Sequence, residues 1–208
     1  MKKFLILFVL VGFSTLYAHE QPHSQPSTVQ VLPEEIDDIV LGSAEAPLTL
    51  VEYSSINCVH CAQFHAQHFN HLKAKYIDTG KVRYVLKHFP LDHTAVDYMA
   101  LIATQPQEQW LPLLEVAYQH QEQWLGQPVE KLGEVLGLSK TECTAALTCE
   151  ATRDKIIAKR FNAEQHLDIQ ATPTFHIIYV NGSTHKEEFL NQGLTPEALE
   201  KKLDAYLQ

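Results

Sequence analysis

Ser54-Ser55-Ile56-Asn57-Cys58-Val59-His60-Cys61 joins an apolar stretch, Leu48-Thr49-Leu50-Val51-Glu52-Tyr53, to a polar helical one and sets two thiols three positions apart at the junction. At a helix start the first cysteine lies beside unpaired backbone N–H groups and the positive end of the helix dipole, which favours thiolate over thiol. A stabilised thiolate is a good nucleophile and leaving group, and a second cysteine one turn along closes or opens a disulfide with it. Taken alone, the stretch also admits half of a zinc site or two buried thiols, although zinc needs two further ligands at comparable spacing.

On the N-terminal side, Leu48 to Tyr53 reads as a central strand, apolar on both faces with Glu52 its only charge. A turn-rich approach, Leu41 to Pro47, precedes it. On the other side the pattern predicts a helix over 59–76, ended by Asp78-Thr79-Gly80, and a strand over 82–89 stopped by Pro90. Strand, helix and strand at this spacing make a crossover onto a parallel neighbour. From His93 to about Arg160 only helical periods follow, including the capping box Ser139-Lys140-Thr141-Glu142 and a longer helix over about 149–166. A strand over 174–180, an Asn181-Gly182 turn and a strand over 184–189 form a hairpin, and Thr195-Pro196-Glu197 opens a last helix. The fold class is therefore α/β with an all-helical insertion at about 93–160.

The chain has 208 residues, 45% hydrophobic and 20% charged, which suits one domain. Residues 1–18 read as a secretory signal peptide: Lys2 and Lys3, an apolar run from Phe4 to Phe13, and small Ala18 before the cut. The run is short for a membrane span, with an uncleaved anchor as the alternative. Residues 19–33, rich in Gln, Ser, Pro and His, read as a flexible N-terminal segment whose His19 and His23 are solvated tail, and 34–208 as the folded domain. Two lysines and no acids leave with the signal, taking the formal net charge from −9 to −11. That balance argues against nucleic acid and against an anionic membrane surface as partners. Four cysteines in an exported chain are consistent with two disulfides.

Together with the C-x-x-C, the motifs Leu41-Gly42 with Ala46-Pro47, Glu52 six residues before Cys58, Phe89-Pro90-Leu91 with His93, and Thr172-Pro173-Thr174 point to a family. From about Val40 to its end the chain resembles the DsbA-like thiol-disulfide oxidoreductases of the thioredoxin superfamily, in the branch with BdbD-like and alphaproteobacterial DsbA proteins. The resemblance implies a thioredoxin fold with the helical subdomain inserted into it. It makes Cys58 the nucleophile of a redox-active disulfide and Cys61 the buried resolving thiol. His60, between them, is the residue expected to tune the Cys58 thiolate, through a hydrogen bond or positive charge. Family members with Pro-His at these two positions are oxidants; Val59 stands here in place of the proline. Pro173 is expected to be cis against the C-x-x-C, leaving the Thr172 backbone free to pair with an extended substrate. Glu52 is expected beneath the site as a proton acceptor for Cys61 through water, with Lys87 its nearest candidate partner and a purely structural ion pair as the alternative.

Three further groups carry expectations. Cys143 and Cys149 lie about 10 Å apart on one unbroken helix, beyond disulfide reach, but a new N-cap at Thr148 would fold them together into a structural disulfide, with buried free thiols as the alternative. His65, His68 and His71 spread over an arc of about 120° and read as a solvated face rather than a copper or zinc patch. Trp110 and Trp124 read as core and cap of the insertion rather than a cofactor pocket.

The expected function is an exported, periplasmic oxidoreductase that introduces disulfides into reduced secreted proteins and is reoxidised by a membrane redox partner. It is expected to act as a monomer with no prosthetic group and no metal. A disulfide isomerase or reductase of the same fold is one alternative. A copper-binding or metal-tolerance protein using Cys58, Cys61 and histidines is another.

Overall fold

The apolar strand ahead of the cysteines lies in the middle of a mixed sheet. The computed structural model describes residues 37–190 and 195–208, so the signal, the N-terminal segment and His19 and His23 lie outside the described residues. Five strands are present among those residues: β1 (Ile39–Leu41), β2 (Leu48–Ser54), β3 (Val82–His88), β4 (Thr174–Asn181) and β5 (Thr184–Leu190). Their order is β1-β3-β2-β4-β5. β2 runs parallel to β3, as the crossover requires, and antiparallel to β4. β1 was not anticipated: three residues are too few to show an alternation, and only pairing with β3 defines the strand. Behind it Gly42 adopts φ +87°, and a Cβ there would meet the Val82 carbonyl at 2.6 Å, so the turn into β2 requires glycine.

The helix after the C-x-x-C is continuous from Val59 to Ile77 but not uniform. It runs as α1 (Val59–Phe64), a π segment His65–Phe69, α2 (Asn70–Leu72) and a second π segment Lys73–Ile77. The insertion holds α3 (His93–Ala103), α4 (Trp110–Gln119), α5 (Gln121–Trp124), α6 (Val129–Val135), α7 (Lys140–Thr148) and α8 (Glu150–Leu167). Ser139 and Glu142 form the expected reciprocal capping box of α7. Trp110 and Trp124 are core residues, 7% and 0% exposed. The last helix, α9 (Pro196–Tyr206), starts at the Thr195 cap.

The insertion extends beyond the expected limit at about 160. α8 continues to Leu167, where Asp168 turns left-handed at φ 53° and the Ile169 N–H closes on the Ala163 carbonyl at 3.3 Å. No glycine or proline marks that end, but the helical period read over about 149–166 stops one residue short of it.

Strand alternation divides the core. Leu48 and Leu50 of β2, with Tyr84 and Leu86 of β3, pack with Phe69, Leu72 and the insertion. Val51, Tyr53 and Val85 point the other way, into a smaller cluster with Ala163 of α8. That second face carries a buried ion triad. Lys87 Nζ is 2.5 Å and Lys159 Nζ 2.8 Å from the two oxygens of Asp38, and Lys159 also donates to the Asp37 carbonyl at 2.6 Å.

Candidate active site

Cys58 is the N-cap of α1, with extended φ −82° and ψ 117°. The Cys61 backbone N–H donates to its Sγ at 3.1 Å, and its thiol donates to the Thr172 carbonyl at 3.5 Å. These contacts follow from geometry at a helix start, where first-turn amides have no intrahelical acceptor. The loop before it is held by the helical insertion. Gln121 Nε2 donates to the Ile56 and Cys58 carbonyls at 3.0 and 3.3 Å, and the Tyr118 hydroxyl donates to the Ser55 carbonyl at 3.2 Å. Asn57 Nδ2 donates to Asp92, the N-cap of α3, at 3.0 Å. Opposite the thiol, the Thr172–Pro173 peptide is cis. Arg160 of α8 donates to the Pro90 and Leu91 carbonyls, fixing the neighbouring loop.

Cys58 and Cys61 have opposed electrostatics. The Cys61 thiol, donating to Cys58 Sγ, is the largest influence holding the Cys58 thiol down to about 6; burial opposes it, and the Thr172 side chain and the backbone N–H groups of Cys61 and His60 add to it. Burial pushes the Cys61 thiol well up, reinforced by Cys58 and the Glu52 charge. One sulfur is therefore poised as a thiolate and the other as a buried proton carrier.

His60 is exposed, with Nδ1 3.4 Å from Gln63 Oε1. Its influence on Cys58 comes through its backbone N–H, not through its imidazole. A direct check follows. Cys61→Ala, which removes the leading hydrogen-bond donor, is expected to raise the midpoint of the Cys58 thiolate ultraviolet absorbance from about 6 towards the ordinary thiol range. His60→Ala keeps the backbone donor and is expected to move that midpoint less; the reverse ranking would restore the imidazole as the tuning group.

Glu52 lies on β2 at 0% exposure, but its partner is not Lys87. In the parallel register Glu52 stands opposite Leu86, and Lys87 opposite Tyr53, so the two side chains project from opposite faces of the sheet. Lys87 joins Asp38 instead. Glu52 Oε2 accepts from the Tyr84 hydroxyl at 2.6 Å and lies 3.3 Å from His65 Nε2. Burial pushes its carboxyl up, but the His65 charge and hydrogen bonds from Tyr84 and Ser54 outweigh it, leaving the carboxyl below the ordinary range.

His65 corrects a second expectation. It was placed on a solvated face with His68 and His71, yet its side chain is 1% exposed while that of His71 is 65% exposed. Buried Cys61, His65, Phe69, Leu72 and Tyr76 recur at spacings of three and four, so His65 belongs to the inward stripe of the helix, which His68 and His71 do not share. Sequence reasoning also missed Ser54, Tyr84, Tyr118 and Gln121, because ordinary strand and helix residues give no signal until tertiary packing gathers them. Among the described residues no group of three or more His, Cys, Asp or Glu side chains is arranged to hold a metal ion.

The Cys143–Cys149 bond is not formed here; all four cysteines are free thiols. α7 runs to Thr148, and Cys149, not Thr148, sits at the junction with α8. Cys149 Sγ is 3.2 Å from Thr152 Oγ1, while Cys143 Sγ occupies the space a Cβ on Gly133 of α6 would need. The two sulfurs are engaged with different helices.

The fold that carries this arrangement has solved counterparts. The structure of Wolbachia pipientis alpha-DsbA1 matches with TM-score 0.73 at 26% identity, covering 85% of this chain and 94% of that one. A family model described as Thioredoxin matches residues 34–205. The chain is a DsbA-like member of the thioredoxin family. BdbD from Bacillus subtilis shares the same fold, with TM-score 0.64 at 18% identity over 82% of this chain and 93% of that one. Among curated proteins, one from Rickettsia typhi that is provisionally named a protein-disulfide oxidoreductase is 28% identical over 170 residues, 79% of this chain and 62% of that protein. The DsbA-like chain thus spans about three-fifths of the length of that relative.

Proposed function

We propose that this chain is an exported protein-disulfide oxidoreductase that introduces disulfides into reduced secreted or periplasmic proteins at Cys58–Cys61. The observation that carries this is the split between the two thiols, Cys58 held down to about 6 and the buried Cys61 pushed well up. A substrate thiolate attacks Cys58 of the oxidised pair, and the Cys58–Cys61 bond breaks with its electron pair on Cys61, which takes up a proton. A second substrate thiolate attacks the substrate sulfur of the mixed disulfide. The substrate disulfide forms, and Cys58 leaves as a thiolate. A membrane redox partner then accepts the two electrons. Thr172, beside cis-Pro173, presents its backbone to an extended substrate chain, a reading of backbone rather than side chains that suits many clients. The exchange needs no prosthetic group. The reading of residues 1–18 as a signal supports export, and no helix among the described residues is long and apolar enough to cross a membrane.

A stabilised thiolate stabilises the reduced form. With Cys58 at about 6, about nine-tenths of it is ionised at pH 7, worth about 1.4 kcal/mol or about 30 mV of oxidising power. The sign is that of a depressed acid: the contribution is complete only above the ordinary thiol value and is lost as pH falls through about 6. Equilibrium of the pair against glutathione tests the proposal. The expected potential is more oxidising than about −200 mV, falling by about 30 mV per pH unit above pH 6 and by about 59 mV per unit below it. A potential near about −270 mV, that of a cytosolic reductant, would refute the oxidase reading.

A further inference from the structure

Glu52 is fully buried and charged, and such a group persists only beside a compensating partner. The buried lysines beside the sheet, Lys87 and Lys159, are both committed to Asp38 on the opposite face. The cation-bearing side chain within 4 Å of Glu52 is His65. Its ring is clamped by Phe69, stacked at 4.6 Å between centroids, and by Tyr118 of α4 at 4.8 Å. That clamp holds Nε2 3.3 Å from Glu52 Oε2, within ion-pair distance though outside hydrogen-bond geometry. The titratable groups facing this pair are Tyr84 from β3, Tyr118 from α4, and Cys61 one turn earlier on the same helix. The Ser54 hydroxyl stabilises both the Glu52 carboxylate and the Cys61 thiolate, and is 2.9 Å from the Tyr118 hydroxyl. Glu52 Oε1 has no hydrogen-bond partner among the described residues, which leaves the carboxylate one oxygen to accept a proton.

We propose that His65 is a positioning residue for proton transfer at Cys61: its imidazole is the counter-charge and proton partner of the Glu52 carboxylate, which takes the Cys61 proton. The inference rests on the disulfide-exchange reading of the site. In the step concerned, Cys58 is joined to a second sulfur in a mixed disulfide. The Cys61 S–H proton passes to Glu52, and the Cys61 sulfur bonds to Cys58. The Cys58 bond to the second sulfur breaks, and its electron pair leaves on that sulfur as a thiolate. In the reverse step Glu52 returns the proton to Cys61. Without His65, burial weighs more heavily at Glu52, its carboxyl moves up from its lowered position, and less of the carboxylate is available to take the proton.

The test uses the full chain and glutathione disulfide as reactant, following release of the second glutathione as Cys61 resolves the mixed disulfide. In His65→Gln that resolution is expected to slow about tenfold at pH 7. The midpoint of the Glu52 carboxyl ¹³C titration is expected to rise by about one unit or more, the scale of a nearby opposite charge. His65→Lys, which keeps a cation, is expected to restore both, and His71→Gln on the exposed face to change neither. An unchanged midpoint and rate in His65→Gln, or no recovery in His65→Lys, overturns the proposal. Should either His65 variant fail to fold, the wild-type chain decides: the Glu52 carboxyl and His65 ring resonances must each record the other's titration step, and independent curves overturn it. A wild-type chain that does not react with glutathione disulfide at all would sink the oxidoreductase reading, while the resonance measurement still judges the Glu52–His65 pair.

Discussion

Cys58→Ser is expected to reduce oxidation of a reduced peptide dithiol by about a thousandfold or more, to the uncatalysed level. A serine hydroxyl forms no mixed disulfide. Cys61 offers no substitute, being 0% exposed with its thiol pushed well up by burial. Cys61→Ser should behave differently. It keeps the nucleophile but loses the resolving sulfur, so a mixed disulfide between Cys58 and the peptide should accumulate and be visible by intact mass. Cys58→Ser retaining more than a small fraction of the rate would place the chemistry at another thiol, and Cys143 and Cys149 would be the ones to examine.

Asp38→Ala is expected to lower the free energy of unfolding by about 3–5 kcal/mol, measured by urea denaturation at neutral pH. One carboxylate serves two lysines there, Lys87 at 2.5 Å and Lys159 at 2.8 Å, and all three side chains are at most 7% exposed. Removing the acid leaves two buried cations without the charge that compensated their desolvation. Replacing all three by apolar residues of similar volume should cost far less, because the desolvation disappears with the charges. A loss below about 1 kcal/mol in Asp38→Ala would mean that water enters this face of the sheet. The triad ties β1, β3 and α8 together, so the variant also tests whether that helix anchors the Pro90–Leu91 loop beside the active site through Arg160.

The frame of this protein was legible wherever one short segment carried its own signal. The C-x-x-C at a strand-to-helix junction located the thiol pair around which the candidate site is built. Pro90, Asn181-Gly182 and Thr195-Pro196 marked chain turns through backbone constraints that act within a few residues. The cis state of Pro173 came from the resemblance, not from local chemistry. The rest depended on contacts distant in sequence. Glu52 and Lys87 looked like partners because both are charged residues on neighbouring strands, and only the register, one residue out of phase, put them on opposite faces. His65 reads as solvated when grouped with His68 and His71, but it lies four residues from both Cys61 and Phe69 on the inward stripe of the helix. Sequence alone placed the paired thiols at a strand-to-helix junction and ordered the main elements around them, because those follow from local backbone physics. Tertiary structure alone decided which group balances the buried Glu52 charge, because in a low-dielectric core that depends on which side chain lies within a few ångströms, and packing from four separate elements sets that distance.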